Sequence, residues 1–269
     1  MSAAPGRVAL VTGVSRRRGI GFAVARRLLD DGARVVIHSW AAHDARQPWG
    51  ADPGGVETLL EELGGIGPRL AHVEADLADP AASARVVEHA VETFGAIDVL
   101  VANHARSSSM TLQTVTAEEL DRSWAVNARA VILLVQAYAA RRDHGRGDGR
   151  IVLFTSGQHL APMAGELPYA VTKGAVHQMS RSLADALADR GVTINAINPG
   201  PVDTGWASNA LRERLSSQFP SGHWGRPEDI AAVVAWMVSP ESGQITGQVI
   251  DAERGFRRHV PAEATRSTE

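Results

Sequence analysis

The chain has 269 residues, 44% of them hydrophobic and 21% charged, and its formal net charge is −3. This composition is typical of a soluble globular protein near the size limit of one hydrophobic core. The small net charge favours neither nucleic acid nor an anionic membrane surface as a partner. The sequence has no apolar run long enough for a membrane span, and its cysteine count of 0 excludes disulfides and thiolate metal sites. We therefore expect a cytoplasmic protein without a bound metal.

Apolar runs rich in β-branched residues alternate with amphipathic stretches along the chain. Predicted strands lie at residues 7–12, 33–39, 69–76, 97–103, 149–156, 192–200 and 248–253. Predicted helices lie at residues 21–32, 56–65, 81–95, 116–142, 169–191 and 227–239. Because the strand runs are continuous rather than alternating, we expect strands buried on both faces. The pattern predicts an α/β fold, a single Rossmann domain over residues 1–258 with a doubly wound parallel sheet and helices on both faces.

Three stretches depart from this alternation. Residues 41–55 form a long polar loop after the second predicted strand, and residues 259–269 are predicted to be a flexible tail. Residues 201–227 follow the sixth predicted strand. Because ligands bind at the carboxyl ends of strands in open α/β sheets, this last stretch is the predicted substrate lid.

The first predicted strand runs into a glycine-rich turn that opens the first helix. Glycines at such a turn let backbone N–H groups approach a pyrophosphate at the helix N-terminus. The expected cofactor contacts here are Gly13, Ser15, Gly19, Ile20 and Gly21. A flexible turn without a ligand is the alternative, and the strand before and helix after favour cofactor binding.

The end of the second predicted strand bears on which nicotinamide cofactor is used. A carboxylate there would bind a ribose 2′-hydroxyl, whereas a nearby arginine suits a 2′-phosphate. The strand ends without an acid at Ser39, and Arg16, Arg17 and Arg18 lie in the glycine loop. These features favour NADP(H) over NAD(H), with Ser39 and Arg18 as expected contacts, although a charge run is often only a solvated loop.

Ser156, Tyr169 and Lys173 have the spacing of a proton-transfer site. Tyr169 precedes Lys173 by four residues, so a helix places both side chains on one face. Ser156 ends an apolar strand and is expected to reach the Tyr169 hydroxyl. A free tyrosine ionises near pH 10, and a lysine cation one turn away is expected to lower that pKa.

With this constellation, the chain resembles the short-chain dehydrogenase/reductase family from Arg7 to about Phe256. The positions that match the family's motifs are Thr12, Gly13, Gly19, Gly21, Asp76, Leu77, Asn103, Asn127, Ser156, Tyr169, Lys173, Pro199, Gly200, Val202 and Thr204. Two motifs depart from the family pattern. Five residues rather than three separate Gly13 from Gly19, and the family's NNAG element here reads Ala102-Asn103-His104-Ala105.

The resemblance implies a role for each matched residue. Tyr169 is the expected general acid/base, Ser156 donates to the substrate oxygen, and Lys173 also holds the nicotinamide ribose beside Tyr169. Asn127 is expected to hold a water that links Lys173 to solvent. Asp76 and Leu77 are expected to contact adenine, and Asn103 to contact the cofactor. Residues 199–204 are expected to hold the nicotinamide end, through Pro199, Gly200, Val202 and Thr204.

Within the family, the chain looks most like the β-ketoacyl-carrier-protein reductases, which implies an NADP-dependent ketoreductase acting on a small or thioester-linked carbonyl. Gln158, His159 and Trp206 are candidate substrate contacts. A candidate patch for binding a carrier protein consists of four arginines, Arg141, Arg142, Arg146 and Arg190. A solvated helix end is the favoured interpretation of these residues. The resemblance also implies a homotetramer or homodimer that pairs through the fourth and fifth helices.

Three other functions remain open at this point. A cofactor-binding regulator without turnover would be expected to lack the tyrosine or the lysine, and this chain has both. A sugar-nucleotide epimerase would need a larger carboxyl-terminal domain than the residues after Pro201 provide. An NAD-dependent alcohol dehydrogenase of the same family would share the whole constellation.

Overall fold

The computed structural model describes residues 6–258, and the tail predicted at 259–269 lies outside them. Within that range the strands are β1 Val8–Thr12, β2 Arg34–Ser39, β3 Leu70–Glu74, β4 Val99–Ala102, β5 Gly149–Phe154, β6 Val192–Asn198 and β7 Val249–Asp251. They pair in parallel into one sheet of order β3-β2-β1-β4-β5-β6-β7. The predicted α/β Rossmann fold is confirmed.

Helices cover both faces of this sheet. Within residues 6–258 they are α1 Ile20–Asp30, α2 Ala41–Asp44, α3 Gly55–Glu62, α4 Ala82–Phe94, α5 Ala117–Trp124, α6 Ala130–Arg141, α7 Leu167–Ala188, α8 Asn209–Ser216 and α9 Pro227–Val238. No helix in this range combines the length and apolar character needed to cross a bilayer. The two faces of the sheet are buried against these helices.

Successive strand residues contribute to two separate cores. Ala9 and Val11 of β1 pack with α1 and α9 on one face. Leu10, between them, packs with α4, α6 and α7 on the other. Since alternate side chains of a strand point to opposite faces, the continuous apolar runs follow directly from this double burial.

The stretch predicted as one helix at 116–142 is divided into three parts. Thr116 caps α5 by accepting a hydrogen bond from the Glu119 N–H at 3.2 Å. A π-helical segment, Ala125–Arg129, then joins α5 to α6. The predicted helix is therefore continuous, with a wider turn at its centre that accommodates an additional residue.

Two of the predicted loops also contain short helices. Residues 41–55 begin with the single turn of α2, and residues 201–227 contain α8. Within the latter, the rings of Trp206 and Trp224 lie 6.0 Å apart. We refer to residues 201–227 as the β6–α9 segment, and its closing over a substrate stays a prediction.

Candidate active site

The turn between β1 and α1 packs too closely for any side chain at two of its glycines. A Cβ on Gly21 would lie 2.5 Å from the Gly13 carbonyl oxygen and 2.7 Å from Asn103 Nδ2. Gly13 has a φ of +74°, and a Cβ there would lie 2.7 Å from the His104 Cα. The backbone amides at the start of α1 therefore remain open to an approaching pyrophosphate, which fits a dinucleotide cofactor.

Asn103 fixes the shape of this turn. Its Nδ2 donates to the carbonyl oxygens of Thr12 and Gly13, both at 3.0 Å. Asn103 thus joins the end of β4 to the glycine turn across the point where the strand order reverses. Ligands bind at such a switch point in open α/β sheets.

A crevice opens above this junction. Predicted cofactor residues that line it are Gly13, Ser15, Gly19, Ile20, Asp76, Leu77, Asn103 and Thr204. Within the described chain, the remaining predicted cofactor residues lie outside this lining: Arg18, Gly21, Ser39, Tyr169, Lys173, Pro199, Gly200 and Val202. Ser39 is fully buried, and its hydroxyl pairs with His72 Nε2 at 2.8 Å. The structure thus gives Ser39 a contact between β2 and β3, and its contact with a cofactor stays a prediction.

The three arginines of the glycine loop have different partners. Arg17 Nε donates to Asp52 at 2.8 Å, and its Nη1 donates to Glu62 at 2.6 Å. Arg18 is mostly exposed and lies 3.4 Å from Asp203. Of the three, only Arg16 lines the crevice.

Arg16 is held in that position from two sides. Its Nη2 donates to the Thr204 carbonyl at 2.9 Å, and its guanidinium lies 5.8 Å from the Trp49 ring. Arg46, which the sequence analysis did not select, lines the same crevice together with Asp44. Its only signal was that it is the single arginine of the long loop after β2, at no fixed spacing from the glycine motif.

Two histidines under the crevice were also missed as site residues. The Gly13 N–H points to His38 Nδ1 at 3.4 Å, and His38 Nε2 lies 2.9 Å from the Ala75 carbonyl. His104 Nδ1 lies 2.7 Å from the Thr12 hydroxyl. Burial lowers the pKa of His38 to about 4 and that of His104 to about 3, so both rings are neutral at physiological pH. They support the crevice floor without adding charge.

Ser156, Tyr169 and Lys173 come together beside the end of β5, as the sequence predicts. Tyr169 and Lys173 lie on α7, and Lys173 Nζ is 5.6 Å from the centre of the Tyr169 ring. A hydrogen bond joins the Tyr169 hydroxyl to Ser156. Lys173 Nζ donates to the Phe154 carbonyl at 2.8 Å, so the end of β5 orients the ammonium group.

Burial dominates the ionisation of this trio. Loss of solvation raises the pKa of Tyr169 to about 12, the bond from Ser156 partly offsets this, and the charge of Glu166 adds to it. Burial lowers the pKa of Lys173 to about 8. Desolvation dominates the pKa of Tyr169 in this structure, and the expected lowering of that pKa by Lys173 stays a prediction.

Asn127 lies in the π-helical segment and is fully buried. Its Oδ1 accepts from the Arg106 N–H at 2.6 Å. Its Nδ2 donates to the Arg106 carbonyl and to Thr172 Oγ1, both at 3.0 Å. Asn127 therefore joins the loop after β4 to the residue beside Lys173, and its predicted role in holding a water stays a prediction.

The predicted substrate residues have contacts of their own. Gln158 Nε2 donates to Thr155 Oγ1 at 3.2 Å. His159 Nε2 lies 3.2 Å from an Asp251 carboxylate oxygen. Trp206 Nε1 donates to the Val202 carbonyl at 3.0 Å, and its side chain is partly exposed. The structure places all three around Ser156 or the β6–α9 segment, and their contact with a substrate stays a prediction.

Glu166 is an additional charged group near the trio. It is half-buried, and loss of solvation alone raises its pKa. Its side chain has no hydrogen-bond or ion-pair partner within residues 6–258. Since its charge also raises the pKa of Tyr169, Glu166 influences the acid/base group without a neutralising cation.

The four arginines of the candidate carrier-protein patch are engaged within the chain. Arg141 pairs with Glu88, and Arg146 pairs with Asp98. Arg142 is buried, and Arg190 Nη2 donates to the Ala139 carbonyl. These contacts favour the interpretation of a helix end over a docking patch.

Comparison with known proteins identifies the family. A sequence profile described as Enoyl-(Acyl carrier protein) reductase matches residues 13–257. An uncharacterized oxidoreductase of Bacillus subtilis, YjdA, is 38% identical over 259 residues, covering 96% of this chain and 100% of that protein. The chain belongs to the short-chain dehydrogenase/reductase family. It is an oxidoreductase of that family, whose members use a nicotinamide cofactor.

Two further relatives have names that mention a cofactor. A short chain dehydrogenase from Burkholderia cenocepacia, solved in complex with NADP, aligns with a TM-score of 0.81 at 33% identity. That alignment covers 94% of this chain and 98% of the other. The NADPH-dependent aldehyde reductase-like protein, chloroplastic, of Arabidopsis thaliana is 32% identical, over 93% of this chain and 94% of that protein.

Proposed function

We propose that this short-chain dehydrogenase/reductase is an NADP(H)-dependent carbonyl reductase of ketoreductase type, with Tyr169 as its general acid. The observation that carries the proposal is the meeting of Ser156, Tyr169 and Lys173 at the carboxyl end of β5. The dinucleotide cradle at Gly13 and Gly21 lies at the same edge of the sheet. Hydride and proton can therefore be supplied to one carbonyl group.

Each residue of the trio has a distinct task in this reaction. A bound nicotinamide supplies the hydride to the carbonyl carbon. Tyr169 gives its phenolic proton to the carbonyl oxygen, which leaves the alcohol product and a tyrosinate. Ser156 hydrogen-bonds the same oxygen while its negative charge develops. Lys173 stabilises the tyrosinate until a proton from solvent restores the phenol.

The protonation state of Tyr169 at neutral pH suits the proton donation that carbonyl reduction needs. With a pKa of about 12, Tyr169 carries its proton and is ready to act as an acid. Alcohol oxidation needs the tyrosinate, which is scarce at pH 7. Alkaline conditions are therefore expected to favour the reverse reaction.

Arg16 and Arg46 support NADP(H) as the cofactor. Both line the crevice near the end of β2, where a 2′-phosphate would lie, and no carboxylate occupies the strand end itself. Asp44 lines the same region, but its Oδ1 accepts a hydrogen bond from Trp49 Nε1 at 3.1 Å. The NADP complex of the Burkholderia relative and the printed name of the Arabidopsis relative are consistent with this choice.

A cofactor titration tests this part of the proposal. We expect wild-type protein to bind NADPH more tightly than NADH, and Arg46→Ala to weaken NADPH binding about tenfold while NADH binding changes little. Arg85→Ala is the matched control, since Arg85 is an exposed arginine on α4 that pairs with Asp79. Tighter binding of NADH by the wild type would contradict the choice of NADP(H). An equal loss for both cofactors would show that Arg46 does not contact the 2′-phosphate.

A substrate screen tests the activity. NADPH oxidation would be followed with acetoacetyl thioesters, cyclic ketones and aromatic polyketide-like ketones. Turnover of at least one class is expected, and thioester turnover would support the 3-oxoacyl-carrier-protein reductase type. NADPH binding without turnover of any class would instead favour a regulatory protein.

Assembly and location stay predictions. A homodimer or homotetramer paired through α6 and α7 would cover the exposed apolar side chains Ile132 and Val171, which are 40% and 54% exposed. Light scattering coupled to gel filtration would measure the assembly directly. A cytoplasmic location is the accompanying expectation.

A further inference from the structure

The segment that follows β7 contains an acidic residue packed against the Pro199–Gly200 turn. Asn198 Nδ2 donates to Glu253 Oε1 at 2.8 Å, and Glu253 is 8% exposed. A Cβ on Gly200 would lie 2.9 Å from the Cβ of Glu253. The glutamate therefore contacts the turn that is expected to hold the nicotinamide end of the cofactor.

Arg258 connects this glutamate to the residue after Ser156. Its guanidinium pairs with Glu253 and is largely buried. A Cβ on Gly157 would clash with the Arg258 guanidinium, at both Nη2 and Cζ. The guanidinium thus occupies the space that any side chain at position 157 would fill, directly against the backbone beside Ser156.

The same segment also contacts the β6–α9 segment. The rings of Phe256 and Phe219 lie 4.9 Å apart, and the Arg257 N–H donates to the Gln218 carbonyl at 2.9 Å. Residues 253–258 consequently touch three parts of the site: the backbone after Ser156, the Pro199–Gly200 turn and the predicted lid.

We propose that Arg258 is a positioning residue, which acts through Gly157 to hold the Ser156 hydroxyl toward Tyr169 and the substrate oxygen. This inference rests on the proposed carbonyl reduction. A planar guanidinium can lie against a backbone that lacks a Cβ, and its pairing with a buried carboxylate fixes its orientation. Since Glu253 also contacts Gly200, the pair sets the distance between the serine and the nicotinamide turn.

A double-mutant cycle between Gly157 and Arg258 tests the proposal. Gly157→Ala should displace the guanidinium and lower kcat about tenfold, because small displacements at a reacting centre cost much of the rate. Arg258→Ala should lower kcat by a similar factor. In the double variant the new methyl group has room, so its kcat should equal that of Arg258→Ala. If the kcat of the double variant fell by the product of the two single-variant factors, the two residues would act independently, and the proposal would be overturned.

Two controls separate positioning from general destabilisation. Arg254→Gln removes an arginine of the same segment that pairs with Asp229 instead, and kcat should stay at the wild-type value. Arg258→Lys keeps the positive charge but lacks the planar guanidinium. Its kcat should therefore lie between that of Arg258→Ala and that of the wild type. For the Arg258 variants, NADPH affinity and melting temperature should stay near wild type while kcat falls. Loss of kcat only in proportion to loss of folded protein would contradict a positioning role.

The outcome also separates this inference from the proposed function. A wild type that reduces no carbonyl overturns both. A wild type with turnover whose Arg258→Ala variant has the same kcat overturns the positioning role alone.

Discussion

The two tyrosines of this chain lie at opposite ends of the sheet, and each precedes a cation by four residues. Tyr138 precedes Arg142, and Tyr169 precedes Lys173. Loss of solvation raises the pKa of both phenols to about 12. Neither a raised pKa nor the spacing to a cation therefore distinguishes a reactive tyrosine from a structural one.

The difference lies in the partners and in access. The Tyr138 hydroxyl donates to the Asp98 carbonyl at 2.8 Å and has no exposed surface. Tyr169 is only partly buried, and its partner is the hydroxyl of Ser156. A backbone carbonyl can only accept, whereas a hydroxyl can also turn its proton toward a substrate oxygen. Access and an adaptable partner make Tyr169 the candidate acid.

The cations that follow the two tyrosines also differ, because only one of them can lose its proton near neutral pH. Arg142 is buried and donates through Nη1 to the Asp143 carbonyl at 2.9 Å. An arginine stays charged at any physiological pH. Burial lowers the pKa of Lys173 to about 8, which allows it to exchange protons near neutrality. Only the end of the sheet with Tyr169 combines a phenol with a cation that can titrate.

The largest expected effect compares the two phenols directly. Tyr169→Phe should lower kcat by about a thousandfold or more, because it removes the proton donor. Its affinity for NADPH should stay close to wild type. Tyr138→Phe should keep turnover and lose about 1 kcal/mol of unfolding free energy, since the Asp98 carbonyl keeps the Arg150 N–H as a donor at 3.1 Å. Steady-state kinetics and urea unfolding measure both. Comparable kcat values for the two variants would mean that Tyr169 is no more involved in proton transfer than Tyr138.

The second effect concerns the charge state of Lys173. Its folded pKa of about 8 lies below the ordinary value of 10.5, so the unfolded chain binds more protons between these values. The stability of the wild type relative to Lys173→Met should therefore rise as the pH increases from about 8 to 10.5, by about 3 kcal/mol in all. Urea unfolding of both proteins across this range measures it. A difference that is flat with pH would mean that Lys173 keeps its ordinary pKa.

The smallest effect concerns Glu166, a charge near Tyr169 without a neutralising partner. Its charge raises the pKa of Tyr169, so Glu166→Gln should move the ascending limb of the pH profile for alcohol oxidation toward lower pH. The profile of kcat/KM for alcohol oxidation measures this shift. Glu118→Gln, on an exposed turn of α5, is a matched control that should leave the profile unchanged. A shift toward higher pH would contradict the inferred effect of Glu166.

Local patterns explain why much of this site could be predicted from sequence. The continuous apolar runs predict a sheet buried on both faces, and one helical turn brings Tyr169 and Lys173 together whatever the rest of the chain does. The glycines at 13 and 21 belong to a recognisable local motif, although His104 and Asn103, which lie far along the chain, help to exclude a Cβ there. These features depend on residues close in sequence and on a sheet order that is common to the fold.

The features that sequence did not predict depend on the paths of loops. Arg17 looks free beside its neighbours, but the loop after β2 brings Asp52 to it. Arg258 reaches Gly157 only because the chain after β7 folds back across the end of β5. Ion pairs of this kind join residues that are distant in sequence, and hydrophobic periodicity carries no information about them.

The π-helical segment lets α5 and α6 keep their phase although it holds one residue more than a regular α-helical turn. Each α-helical residue advances about 100° around the axis. Removing one residue from Ala125–Arg129 should therefore restore regular α-helical hydrogen bonding and leave the phase of α6 nearly unchanged. Removing one residue from α6 before Tyr138 should instead rotate Tyr138 away from Asp98 by that angle. The fold should accordingly tolerate a deletion in the π-helical segment better than one in the α-helical turns that follow it.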